Sequence, residues 1–307
     1  MQSLRQLLKV ILSRPFFWLN RLFFSAYFWF NRKKYNSQMV GEIRNQRILI
    51  MVPHVDDAVI GMGGMLTHLS ENKEVKCLYL TDSSAGSRPG FDNKQLISAT
   101  RKREARRIAD YYGIIDPEFL DLPDGQLEVT PESINAVHRH IDRFNPDVVF
   151  IPYPIDGHQD HTSTALIAVK ALNVSCCAET FPIWIYEATS TMEPELVTHH
   201  YALTEKQLQT KQTALNTFSS QILPFDIFLL LNKCRLLAVN NDPQQKHGAE
   251  FFAVTDLARC SKAFSFSGLK TAYKNLHPLS SNIRLIIQFL YGWNLRQRVA
   301  QKAAKYL

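Results

Sequence analysis

No two of the five cysteines stand in a Cys-x-x-Cys pair, and their number is odd. That excludes a disulfide framework and a cysteine-built zinc module, and points to reduced thiols in a cytosolic fold. Cys77 lies in an apolar run and reads as core. No uninterrupted apolar stretch reaches the roughly 20 residues that cross a bilayer. The start of the chain lacks a small-residue cleavage site behind a short apolar core, so it does not read as a secretory signal. There is no internal repeat and no low-complexity linker, which excludes a repeat array. Acid is scarce in one region. Residues 1–47 contain only Glu42 against Arg5, Lys9, Arg14, Arg21, Arg32, Lys33, Lys34, Arg44 and Arg47. Because the whole chain carries a formal +7, the remainder is close to neutral. A basic surface spread over the fold, as nucleic-acid binding requires, is therefore not expected.

What is present is ample apolar material, 46% of 307 residues, enough for one large α/β domain. Residues 16–30 form a dense aromatic stretch, interrupted by Asn20 and Arg21 and preceded by Pro15. Aromatics mixed with Arg32-Lys33-Lys34 fit a helix lying in a membrane interface against anionic headgroups. The alternative is an arm packed on its own domain or on a second subunit. Residues 285–293, followed by Arg296, Arg298, Lys302 and Lys305, repeat that character at the other end.

Between the ends the pattern alternates. Short apolar runs at 47–52, 75–80, 119–122, 147–152 and 183–186 read as strands, with an edge strand at 249–254. Helical spacing covers 58–70, 99–112, 131–144, 162–171 and 205–218, and a polar loop with Gly86, Pro89 and Gly90 follows the second strand. Strands separated by helical crossovers predict a Rossmann-like three-layer α/β sandwich with a mostly parallel sheet. The expected division is an amphipathic arm over 1–46, a catalytic domain over 47–255 and a helical extension over 256–307.

Two polar clusters fall just past strand ends, where open parallel sheets bind ligands. Pro53-His54-Val55-Asp56-Asp57 follows the first strand, and His158-Gln159-Asp160-His161 follows the strand at 147–152. Taken singly, an acidic pair at a helix start is often a cap, and two histidines three apart are often surface residues. Together at strand ends they describe a catalytic metal site: two histidines and one carboxylate, with room for water. His54, Asp57 and His161 are the expected ligands of Zn²⁺ or another divalent ion such as Fe²⁺. Asp56, spare beside a ligand, is the expected base that takes a proton from the attacking water. His158 is placed to donate to an oxyanion or a leaving amine, with Asp160 orienting it. Gly61-x-Gly63-Gly64 is not taken for a dinucleotide loop, because His54 to Asp57 occupies the place of the glycine turn.

These residues resemble the PIG-L/LmbE-like metal-dependent de-N-acetylases. The family's Pro-His-Pro-Asp-Asp-Glu with Gly-x-Gly-Gly stands here as Pro53 to Ala58 with Gly61 to Gly64, and its His-Pro-Asp-His as His158 to His161. Thr81-Asp82, Arg101-x-x-Glu104, Asp124-Gly125, Tyr186-Glu187, Lys211, Ser220-Gln221 and Ala249-Glu250-Phe251 are weaker matches, so that the resemblance covers 47–255. Val55, Ala58 and Gln159 depart from the pattern without removing a ligand or the base. The resemblance implies zinc on His54, Asp57 and His161, Asp56 as base, His158 as acid partner, and Arg101 and Asp124 near the substrate. It implies hydrolysis of the N-acetyl group of an amino sugar. With the aromatic arm, the expected substrate is a lipid-linked or envelope-glycan precursor and the expected location cytoplasmic, peripheral to the membrane. An amidohydrolase of a non-sugar amide, such as a thiol conjugate, and a non-enzymatic glycolipid-binding module remain as alternatives.

Overall fold

The computed structural model describes residues 2–44, 46–71, 73–86, 93–175, 177–239, 246–265 and 269–307. Pro89, Gly90 and Cys176 lie outside them.

The strand β2 (Arg47–Val52) is an unbroken apolar run, the pattern of a strand covered on both faces, and five of its six residues are buried. Helix α2 (Asp57–Leu69) carries the chain to β3 (Glu74–Thr81), α3 (Lys94–Tyr112) to β4 (Ile115–Leu122), and α4 (Pro131–Phe144) to β5 (Val148–Pro152). Helix α5 (Gln159–Val174) then leads to β6 (Pro182–Tyr186). Local chemistry sets several of these ends. Asn93 caps α3 by accepting from Leu96 N–H, and Gly113 closes it at φ 70°. Thr130 and Ser133 form a capping box around Pro131 at the start of α4.

Beyond β6 the chain adds β7 (His199–Leu203), α6 (Glu205–Thr217), α7 (Asp226–Arg235) and β8 (Gly248–Asp256). It closes with the helices α8 (Leu257–Ala263), α9 (Leu269–Ala272), α10 (Leu285–Leu290) and α11 (Trp293–Ala303). With the two-residue β1 (Gln38–Met39) the sheet has, among the described residues, eight strands in the order β1-β7-β8-β6-β5-β2-β3-β4. All neighbours are parallel except β6–β8 and β7–β8. The Rossmann-like reading therefore holds, with one correction. The strand expected at an edge near 249–254 is interior, because β7 and β1 pair beyond it. β7 escaped notice because His199-His200-Tyr201 lacks an apolar run.

The ends join the same core. Helix α1 (Gln2–Asn31) runs unbroken through Pro15. It buries Asn20, Phe24 and Phe28. Phe23, Phe24 and Tyr27 meet Phe289 of α10 edge-on at 4.9–6.0 Å. β1 places two residues of the expected arm inside the sheet, beside His199 and His200.

The sheet order decides where chemistry can occur. β2 lies between β3 and β5, with Ile48 level with Val148 and Ile50 with Phe150. After β4 the chain returns to the other side of β2, so a crevice opens beyond the carboxyl ends of β2 and β5.

Candidate active site

The two polar clusters are the loops leaving β2 and β5, and strand adjacency brings them together across a hundred residues. Asp56 precedes the first turn of α2 but makes no capping bond with its side chain. Its Oδ2 is buried without a hydrogen-bond partner. The bland reading as a side-chain cap is thereby excluded for Asp56. Asp57 Oδ2 accepts from His54 N–H at 2.9 Å and lies 3.0 Å from His54 Nδ1 and 3.3 Å from His161 Nε2. One carboxylate oxygen thus sits between two imidazoles.

Each imidazole is backed on its far nitrogen. His54 Nε2 is 3.1 Å from both Asp124 Oδ1 and Asp160 Oδ2. His161 Nδ1 is 3.2 Å from Asp156 Oδ2. The acids are themselves fixed. Asp160 accepts from Gly125 and Leu127 N–H, Asp124 from Ala85 N–H, and Asp156 from His158 N–H and the Thr189 hydroxyl. This corrects the role expected of Asp160: its carboxylate orients His54, while only its backbone N–H reaches His158 Nδ1, at 3.2 Å. Asp156, two places before His158, has no part in the sequence motif and takes its role behind His161 from the fold.

His158 caps α5 through that same contact. Because its Nδ1 accepts from a backbone N–H, a neutral ring carries its proton on Nε2, so the ring is a donor. Burial, then the neighbouring His54 and His161, push its pKa down to about 4 and keep it neutral. Burial and the adjacent Asp57 push the Asp56 carboxyl up to about 7, against the pull of His54 and Arg101. Burial opposes protonation of His161, but Asp57 and Asp156 outweigh it and lift the ring to about 10. For His54, likewise, burial is outweighed by Asp124, Asp160 and Asp57, and the shift is well upward. Asp57 moves strongly the other way, since burial is overcome by the two histidines.

A cavity of about 350 Å³ opens over these groups. His54, Asp56, Asp57, Asp124, His158 and His161 line its floor together with Arg101. Further lining comes from elsewhere in the chain: Ile222 and Leu223 before α7, and Pro278 and Ser280 before α10. Nothing in the sequence placed those four residues at the site. Arg101 is almost fully buried, its guanidinium donating to the carbonyls of Ser83, Ala85 and Gly86. It therefore pins the loop after β3, and most of its donors are spent there. Asp124, likewise expected near substrate, is engaged by His54 and Ala85. Away from the site, His140 meets the Glu118 carboxylate in a cluster with Lys76 and Arg143 that does not line the cavity.

Among the described residues, two overlapping groups bring possible ligand atoms within 4.8 Å of one another: His54, His158 and His161, and His54, Asp124, His158 and Asp160. The donor set of nitrogen and carboxylate oxygen suits a borderline divalent cation.

Residues 49–172 match the family model described as PIG-L: GlcNAc-PI de-N-acetylase. The chain is 30% identical over 132 residues to the diacetylchitobiose deacetylase of Thermococcus kodakarensis, covering 42% of this chain and 49% of that protein. The chain thus spans about half the length of that curated relative. In structure it resembles the N,N'-diacetylchitobiose deacetylase of Pyrococcus horikoshii, with a TM-score of 0.59 at 22% identity over 70% of this chain and 85% of that one. It also resembles the 4-carboxy-2-hydroxymuconate hydratase of Pseudomonas putida KT2440, with a TM-score of 0.58 at 17% identity over 68% and 95%. A hydratase among these neighbours means that the fold alone does not choose the reaction. Every histidine and carboxylate of the cluster falls inside the matched stretch, so residues 49–172, with the candidate site in them, are similar to the PIG-L family.

Proposed function

We propose that the chain is a metal-dependent hydrolase that removes the N-acetyl group from an N-acetylated amino sugar and releases acetate. The observation that carries this reading is Asp56: a buried carboxylate with an unpartnered oxygen, beside a three-donor set to which it does not belong. His54, Asp57 and His161 would hold the cation. Asp57 Oδ2 lies 3.0 Å from His54 Nδ1 and 3.3 Å from His161 Nε2, beside the group of His54, His158 and His161 whose nitrogens come within 4.8 Å of one another. Carboxylates behind both histidines are the usual support for imidazole ligands. Asp124 and Asp160 already accept backbone N–H groups and flank His54 Nε2, which makes them orienting groups. Zn²⁺ suits this set, and Fe²⁺ is bound by the same donor types.

Bound there, the cation would polarise an amide carbonyl and acidify a water. The rest is done by the chain. Asp56, poised near neutrality, accepts the proton of the attacking water. His158, neutral with its proton on Nε2, donates a hydrogen bond to the oxygen on which charge develops, and Asp56 passes the proton it took from water to the departing amine as the C–N bond breaks. Asp124, Asp156 and Asp160 keep the two remaining imidazoles in one tautomer and one orientation.

The finer reading is a substrate presented at a membrane. No described helix is long and apolar enough to cross one. Yet α1 exposes Trp18, Leu19, Leu22, Trp29 and Phe30, the last by 80%, and neighbouring α10 exposes Ile287 and Leu290. Arg21 lies over Trp18 and Arg32 over Trp29, a mixture of cation and indole suited to an anionic interface. We read this face as resting on anionic lipid at the cytoplasmic side and the substrate as lipid-linked.

The test is acetate release by purified protein across lipid-linked and soluble N-acetyl sugars, with N-acyl thiol conjugates alongside. Metal is counted on the same sample. The reading expects about one zinc per chain and turnover confined to the sugars. Turnover of the thiol conjugates alone would replace the substrate class, and metal-free protein with full activity would remove the mechanism.

A further inference from the structure

The helix that carries Asp57 is broken. Within α2, Met62 takes φ −141° and ψ 22°, outside the helical range. In an unbroken helix Gly64 N–H would donate to the Ile60 carbonyl, and Met65 N–H to that of Gly61. Here the Glu250 carboxylate takes both protons, Oε1 from Gly64 and Oε2 from Met65, each at 2.9 Å. The Ile60 carbonyl accepts from Lys211 Nζ at 2.7 Å, and the same ammonium donates to Glu250 Oε1 at 2.7 Å. Both side chains are fully buried. One ion pair, from α6 and β8, therefore fills a gap in the helical ladder, a recognised cause of sharp kinks.

The glycines around the break explain why it can be so tight. A Cβ on Gly61 would lie 2.0 Å from the Glu187 carbonyl oxygen, so the front turn is wedged on the end of β6. A Cβ on Gly64 would lie 2.1 Å from Leu203 Cδ2, so the rear half is wedged on β7. Two short helical pieces rest on two different strands, and the Lys211–Glu250 pair spans the joint between them.

We propose that Lys211 and Glu250 are positioning residues of the active site. By holding α2 broken at Met62 they fix the angle of its front turn, and with it where Asp56 and Asp57 stand against His54 and His161. The proposal rests on the reading of His54, Asp57 and His161 as a metal centre. It differs from mere stabilisation, because a pair that only stabilised the fold would leave the geometry of the folded site alone.

The experiment is zinc affinity, by competition with a chromophoric chelator, on folded metal-free Glu250→Gln, Lys211→Met and the double variant Lys211→Met/Glu250→Leu. The double variant carries no buried charge at the joint and stays testable if the single variants do not fold. Arg296→Met is the control, breaking the equally buried Arg296–Glu193 pair, which is 2.8 Å long and does not line the cavity. The first three are expected to bind zinc about 10–100-fold more weakly than wild type. Arg296→Met should bind as wild type does, although it too loses thermal stability. Hydrogen exchange at Gly64 and Met65 should quicken in Glu250→Gln and not in Arg296→Met. Wild-type zinc affinity in the folded double variant overturns the proposal, as does an equal loss in the control. Wild-type protein that binds no zinc refutes the metal centre itself, and this inference with it.

Discussion

Replacing Asp56 by Asn separates chemistry from metal binding. The substitution keeps the volume and removes the one cavity carboxylate whose Oδ2 has no partner. Asp57 Oδ2 makes its contacts with His54 and His161 without help from Asp56, so the donor set remains. Loss of a positioned base lowers turnover by about 10²–10⁴-fold, or about 3–5 kcal/mol in the barrier. The sign of the pH dependence follows from the environment of Asp56. Burial and Asp57 raise its pKa to about 7, and a bound cation would draw that value down. The wild-type rate should therefore rise with pH through a limb at or below about 7 and level off above it, and the variant should lack that limb. The assay is acetate release under saturating substrate across pH 5–9, with zinc counted on the same preparations. Asp56→Asn with about one zinc per chain and a rate within threefold of wild type would refute the role given to this carboxylate.

His161→Ala should leave the chain folded but without bound zinc after dialysis, checked by metal analysis. Asp156→Asn removes the carboxylate 3.2 Å behind His161, and zinc affinity should fall about 10–100-fold in chelator competition. In metal-free protein His161 is raised from 6.5 to about 10, so its stabilising contribution is complete below about pH 6.5 and is lost as pH rises toward 10. Thermal unfolding of the apoprotein should accordingly show a falling Tm over that range, whereas zinc-loaded protein, whose histidines are already neutral, should not follow it. Trp18→Ser/Leu22→Ser removes two exposed residues of α1, and sedimentation with phosphatidylglycerol vesicles should drop while activity on a soluble N-acetyl sugar stays within twofold; unchanged sedimentation would withdraw the membrane face.

Much of the site was legible in the chain because ligand chemistry and strand ends are local signals. The run Arg47 to Val52 announces a buried strand, and His54, Asp56 and Asp57 follow it directly. The crossover pattern was equally visible, since periodicity changes with each element. What was not legible depends on residues distant in sequence. β7 hid behind two histidines, and β8 was placed at an edge because nothing in its own residues tells that β7 and β1 pair beyond it. Asp160 was assigned to His158, its near neighbour, although the fold turns its carboxylate toward His54.

The sequence by itself determined which groups could do chemistry: two histidine–carboxylate clusters, each at the end of an apolar strand, in a chain with no cysteine alternative. Tertiary structure alone decided how they share the work. The return of the chain to the far side of β2 makes β5 its neighbour and sets Asp57 between His54 and His161. It also leaves Asp56 buried with an unpartnered oxygen, and it borrows the cavity wall from residues near 222 and 278. The physical reason is that donor type is a property of one residue. Orientation, desolvation and the pKa shifts that follow belong to pairs of residues that only the packed sheet brings within reach.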